Sequence, residues 1–342
     1  MAYTTIDKPS DYFNTVLYTG NGSTQSITGV NFRPDWVWLK GRSVVAGHNL
    51  HDVVRGVNKQ LYTNTSDAEE TLTTLVTSFD SDGFSLGSNG NANSNTHTFV
   101  AWNWSAGGSA SSNSDGSVTS TVSANTTAGF SIGTYTGTGS ATTVGHGLGV
   151  TPQMIIVKNR GASSDWRVFH EDVGNTKWLQ LNDTSASQTS STMWNDTSPT
   201  SSVFSIGTSG GVNTSSGTYV FYAFCEKKGY SKFGSYTGNG NADGTFVYTG
   251  FKPAMIIWKR TDAGNSWSIK DNKRDPINPA DERLRPNTSD AADTNENVDF
   301  LSNGFKCRAS GDNQNASGSV FIYMAFAESP FVNSNGVPNN AR

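Results

Sequence analysis

Four tryptophans stand beside segments dense in Ser, Asn and Asp: Trp166, Trp178, Trp194 and Trp267. An aromatic face stacks on the apolar side of a sugar ring while neighbouring amides and carboxylates take its hydroxyls. These four are therefore the candidate ligand-binding residues, with a glycan as the ligand. Packing against the body of the protein is the competing reading. It is favoured for Trp166 and Trp267, since each falls 14 residues after a proline, Pro152 or Pro253.

Other reactive residue types do not assemble into a recognisable centre. His48 and His51 lie three apart, a metal-binding spacing on a helix, but their surroundings read as a hairpin with no third ligand. His170-Glu171-Asp172 has a counterpart in His51-Asp52-Val53, which points to a recurring strand end. Asp80-Ser-Asp82-Gly83 lacks the remaining oxygen ligands of a calcium loop and reads as a turn. Gly83-Phe-Ser85-Leu-Gly87 and Gly129-Phe-Ser131-Ile-Gly133 fit the G-x-S-x-G pattern, yet no helical pattern follows either serine. Lys40, Lys158 and Lys259 recur at one position, each closely followed by Arg42, Arg160 or Arg260. They are expected to end strands and carry their charge to solvent. No catalytic residue, metal ligand or cofactor is predicted, and the chain is not expected to be an enzyme. A glycosidase needs only two carboxylates, so a polysaccharide depolymerase stays open as a minor alternative.

The elements that would carry these residues are written three times. Tyr18-Thr-Gly-Asn-Gly22 returns as Tyr135-Thr-Gly-Thr-Gly139 and Tyr236-Thr-Gly-Asn-Gly240. A proline-led apolar run ending in lysine follows each: Pro34 to Lys40, Pro152 to Lys158 and Pro253 to Lys259. Its continuous hydrophobicity predicts a strand covered on both faces. Asn64, Asn182 and Asn287 head a third shared segment. Each copy closes with Phe84, Phe204 or Phe305 and, 18 residues later, Trp102, Tyr222 or Tyr323 within an aromatic strand. Asn-Gly and Asp-Gly pairs supply the turns.

This pattern predicts an all-β fold of three tandem β-sandwich domains, of jelly-roll or concanavalin-like type. The expected limits are 1–106, 129–228 and 229–330, with a flexible Ser/Gly/Thr-rich linker and lead-in at 107–128 and a poorly ordered tail at 331–342. An insertion near Asp275 to Pro279 distinguishes the third repeat. Aromatic residues make up 11% of the chain, which suits a packed core rather than disorder. Charged residues make up 15%, well under the roughly 25% of an average soluble domain. With a net charge of −4 and no basic run, nucleic-acid binding is not expected. Neither a secretory signal nor a membrane span is predicted, and Cys225 and Cys307 are expected to be core thiols rather than a disulfide.

Tyr3-Thr-Thr-Ile-Asp-Lys-Pro-Ser-Asp-Tyr-Phe13, the segments Tyr18 to Gly22 and Pro34 to Lys40, Val122 to Phe130 and Gly145-His-Gly-Leu-Gly149 together resemble a family of marine bacteriophage virion proteins. The resemblance spans nearly the whole chain and implies tandem lectin-like β-sandwiches in a structural or host-attachment part of the particle. It implies synthesis in the host cytoplasm, residence in the virion and contacts with other virion proteins, but no defined ligand. A homo-oligomer (a trimer by expectation) and a host-surface glycan are the further partners expected. The leading expectation is a tail-fibre or receptor-binding protein. The alternative is a passive decoration protein that stabilises capsid or tail.

Overall fold

Side-chain alternation along the three proline-led strands decides the architecture. Along a strand, successive side chains face opposite ways. Val37 and Leu39, Ile155 and Val157, and Ile256 and Trp258 enter three separate cores, one for each repeat. Their neighbours Trp36 and Trp38, Met154 and Ile156, and Met255 and Ile257 all enter a fourth core, which the three repeats share. Both faces of these strands are thus covered, as their unbroken hydrophobicity predicts.

A computed structural model describes residues 3–340, and these residues form an all-β fold of antiparallel sheets. Each repeat has two sheets, of unequal size in repeats 1 and 2 and of four strands each in repeat 3. In the first sheet the opening strand pairs with the closing aromatic strand, which pairs with the proline-led strand. These are Phe13–Thr19, Thr98–Trp104 and Trp36–Gly41 in repeat 1. They are Phe130–Thr136, Thr218–Phe224 and Met154–Asn159 in repeat 2, and Ser231–Thr237, Val320–Pro330 and Phe251–Arg260 in repeat 3. The second sheets are built on Gly83–Leu86, Val203–Ile206 and Gly304–Cys307. Helix among the described residues is confined to single turns, such as Gly90–Asn93 and Gly210–Asn213. No described helix is long and apolar enough to cross a membrane.

The repeated Tyr-Thr-Gly motif has a structural cause. Tyr18, Tyr135 and Tyr236 donate their hydroxyls to the backbone oxygens of Ala92, Val212 and Gln314 at 2.7, 2.7 and 2.8 Å. Asn93, Asn213 and Asn315 follow directly, and each accepts a backbone N–H from the loop after the glycine. A Cβ on Gly20, Gly137 or Gly238 would lie 2.2–2.3 Å from a backbone oxygen of that same turn, so no larger residue fits. What recurs is a clamp between the first loop and the last.

Three expectations need correction. Residues 107–128 are not a free linker: Ser111–Asn113 pairs with Ser120–Asn125 on the edge of the repeat 2 sheet. The backbone N–H groups of Ala106 and Gly108 also donate to Asp35 at 2.8 and 3.1 Å. The tail is tied down as far as residue 340. Ser334 N–H donates to Asp7 at 2.7 Å, and the Asn339 amide donates to Pro330 O at 2.9 Å; residues 341–342 lie outside the described residues. The third correction concerns register. Thr15 faces Trp102 and Ile132 faces Tyr222, but Phe233 faces Met324, while Tyr323 faces Gly234. The shared 18-residue interval is therefore one residue out in repeat 3, whose loop between Phe305 and Asn315 is one longer. A one-residue slip moves a strand side chain to the opposite face, so Tyr323 packs in the repeat's own core.

Candidate functional site

The four candidate tryptophans do not form a surface for sugar. Trp166, Trp194 and Trp267 are buried, and Trp178 is only 8% exposed. Trp194 packs edge-on against Phe169 in the repeat 2 core, and Trp178 lies under the Arg167 guanidinium, 4.3 Å from its ring centre. The polar segments beside them are turns and short strands that cover the rings rather than frames for a ligand.

Trp166 and Trp267 instead join neighbouring repeats. Trp166 Nε1 donates to Tyr62 O of repeat 1 at 2.8 Å, and Trp267 Nε1 donates to Gln180 O of repeat 2 at 2.7 Å. The third equivalent is His48, which lies just before its strand as those tryptophans do. Its Nδ1 accepts from Trp38 Nε1 at 2.9 Å. Burial holds His48 well below the ordinary imidazole range. Asn64, Asn182 and Asn287, the third shared motif, each accept the backbone N–H of this residue.

Backbone bonds repeat the same cycle. Glu69 N–H donates to Arg160 O, Ser187 N–H to Thr261 O and Ala292 N–H to Arg42 O, each at 2.8 Å. Repeat 1 thus holds repeat 2, repeat 2 holds repeat 3, and repeat 3 holds repeat 1. Head-to-tail contacts that close on themselves make a ring. Its centre is aromatic: Trp36 stacks on Tyr222 and packs on Phe130, while Phe326 meets Phe13, Trp104 and Phe224.

Contrary to the solvent-reaching expectation, Lys40 and Lys158 lie in these seams and Lys259 is buried within its own repeat. All three are fully buried. Lys40 donates to Gly41 O and to Ser289 O of repeat 3, and Lys158 donates to Asn159 O and to Ser66 O of repeat 1. Lys259 bonds Arg260 O and Ala263 O within repeat 3. Burial pushes each ammonium down to about 8. The neighbouring arginines complete two seams: Arg160 binds Glu69 of repeat 1 through two bonds, and Arg42 binds Glu282 of repeat 3 in the same way.

Beneath each of these clamps lies a buried ion pair. Arg55 Nε is 2.5 Å from Asp52, which also accepts the Tyr222 hydroxyl of repeat 2 at 2.8 Å. Arg274 Nε is 2.6 Å from Asp271, which accepts Trp102 Nε1 of repeat 1 at 3.0 Å. In repeat 2 the strand register places His170 where Asp52 and Asp271 stand, one residue along from the sequence alignment. His170 accepts Asp172 N–H at Nδ1 and turns Nε2 to Tyr323 O of repeat 3 at 3.4 Å. Burial lowers it to about 4.

The remaining candidates are structural in their surroundings. His51 is buried with Nδ1 2.8 Å from Val57 O. Asp82 caps a hairpin by accepting the N–H groups of Gly29 and Asn31, and Ser85 donates to Asp80 within a strand. Ser131 lies buried mid-strand. Among the described residues, no group of three or more His, Cys, Asp or Glu side chains could hold a metal ion. Cys225 and Cys307 are free and buried.

Sequence reasoning missed the aromatic residues that are exposed. Phe246 and Tyr248 stand on the outer edge strand of repeat 3, 44% and 51% exposed. The matching positions are Ser26 and Thr28 in repeat 1, and Thr143 and Gly145 in repeat 2. Extending the repeat alignment through this strand would have found them, because every copy has one inward apolar residue between two outward ones.

Residues 8–330 match the sequence profile of a family described as a domain of unknown function (DUF7483), and the chain belongs to that family. The matched span takes in all three repeats and the ring they close. A comparison with curated proteins finds no match.

Proposed function

We propose that this family member is a non-catalytic structural protein of a tailed-phage virion that acts in adsorption by contacting host-surface glycans. The observation that carries the non-catalytic part is the use of the repeated residues. Each shared Tyr, Gly, Asn and Lys is engaged in a turn or a seam, so repetition has copied a scaffold rather than an active site. The virion assignment rests on the sequence resemblance. A ring closed on its own aromatic core suits a particle component exposed to proteases, and arrayed copies multiply weak contacts into avidity. Three sandwiches in one chain also supply what a trimer of single sandwiches would, so each copy can work as one pseudo-threefold unit beside other virion proteins.

Antibody labelling of purified particles, imaged by electron microscopy, tests this reading. Label at the tail or a capsid appendage, with adsorption blocked by the antibody, is the expected result. Particles that carry none of the chain would refute it.

A further inference from the structure

We infer that the outer face of repeat 3 around Phe246 and Tyr248 binds a neutral glycan, an inference that rests on the adsorption reading and gives it a site. Two residues apart on one strand, the two side chains share a face at roughly 6.5–7 Å spacing. The Tyr248 ring is anchored, and the Phe246 ring has room beside it. A Cβ on Gly304 would come within 3.1 Å of the Phe246 ring, so the absence of a side chain there lets the ring lie across the sheet. Tyr3 donates to Gly250 O at 2.9 Å, which leaves its oxygen to accept the Tyr248 hydroxyl at 3.1 Å. A ring anchored before binding, as Tyr248 is, loses little freedom when a ligand arrives.

The rim supplies polar groups of both signs. Lys306, cross-strand from Phe246, reaches Asp243 at 2.5 Å, and Arg308 lies 3.3 Å from Asp299. The two cations beside Phe246 are each engaged by a carboxylate, and Lys228 is engaged by the Tyr3 ring, 4.5 Å from its centre, which favours a neutral sugar over an acidic one. Two rings on a flat edge offer far less than the roughly 1,000 Å² that a specific protein partner covers. Stacked sugar rings with hydroxyls directed to the rim fit that size and chemistry. The other two repeats, with Ser26 and Thr28 or Thr143 and Gly145 at these positions, lack the platform.

Those same residues provide the control. The double variant Phe246→Ser, Tyr248→Thr restores what repeat 1 carries and should melt as the parent does. The full chain is titrated with labelled hexasaccharides of glucose, galactose and mannose units, and with a uronate hexasaccharide as the acidic comparison. The expected result is binding of at least one neutral probe with Kd on the order of 1 mM, weakened roughly tenfold or more in the double variant. Equal binding by parent and variant overturns the site while leaving the adsorption reading intact. Preference for the uronate, or no neutral binding at all, overturns the ligand class. A parent dimer that the double variant abolishes would show the face to be a self-contact and overturn the proposal. Absence from the particle sinks the adsorption reading whatever the sugars do.

Discussion

Two of the three seams are built alike and the third is not. Where repeat 1 meets repeat 2, a buried Asp52–Arg55 pair lies beneath Glu69, which binds both Arg55 and Arg160. Where repeat 1 meets repeat 3, Asp271–Arg274 lies beneath Glu282, which binds Arg42 and lies 3.6 Å from Arg274. The two glutamates come from different places in their repeats. Glu69 follows the shared asparagine Asn64, while Glu282 precedes Asn287 at the position that Lys59 holds in repeat 1. Between repeats 2 and 3 the positions of Asp and Arg are taken by His170 and Val173, and Arg260 turns to Asp262 and Asp312 of its own repeat. The cyclic backbone and tryptophan bonds persist there, together with a cavity of about 290 Å³ lined by Val173, Lys177, Ser187, Thr261 and Asp262. The ring therefore needs its backbone cycle and aromatic centre at all three seams, and its ionic clamp at two.

Removing a guanidinium from a charged seam should have the largest effect. Arg274→Met leaves Asp271 buried without its cation, and a loss of about 3–5 kcal/mol is expected in denaturant melts. Val173→Met, the corresponding position in the uncharged seam, should stay within about 1.5 kcal/mol. Equal losses would erase the distinction between the seams.

Acid should weaken the uncharged seam through His170. His170 has a folded pKa of about 4 against an ordinary 6.5, so the unfolded chain binds the extra proton between those values. Stability therefore falls as pH drops through that window, by about 3 kcal/mol from this one group at pH 4. His51, also lowered to about 4, contributes in the same direction. Melts of His170→Gln and the parent across pH 7 to 4 should differ in slope by close to one proton. Parallel curves would remove His170 from the account.

The arginines that follow the repeated lysines provide a finer comparison. Arg160→Ala breaks a two-bond clamp that is largely shielded from water, and about 2 kcal/mol should be lost. Arg260→Ala breaks only local pairs with exposed carboxylates, so the loss should be under about 1 kcal/mol. Smaller still is the expected effect of Phe246→Ser with Tyr248→Thr, within about 0.5 kcal/mol, because both rings lie at the surface.

Much of the fold was legible from periodicity. Alternation, turn pairs and the threefold recurrence of Tyr-Thr-Gly and the proline-led run gave the strands and their order. The ring was not legible, because a continuous apolar run shows that both faces are covered but not by what. For that reason Trp166 and Trp267, for which packing was favoured, could not be assigned to a joint between repeats, and Lys40 and Lys158 read as solvated ends. The partners of these four are more than 60 residues away, whereas Lys259 is buried against its own repeat. The displaced register of Tyr323 has a smaller cause: an interval matched across copies conceals a one-residue insertion when aromatic residues occupy both faces. The exposed pair Phe246 and Tyr248 was within reach of the same alignment, since it is a departure from the repeat rather than a part of it.

The central claim is that three sandwiches share one core and so fold as one body. Calorimetry of the whole chain at pH 7.5 tests it most directly. One transition is predicted, with calorimetric and van't Hoff enthalpies equal and on the order of 240 kcal/mol near 60 °C. Two or three separable transitions, each with the enthalpy of about a hundred residues, would show independent domains and contradict the account.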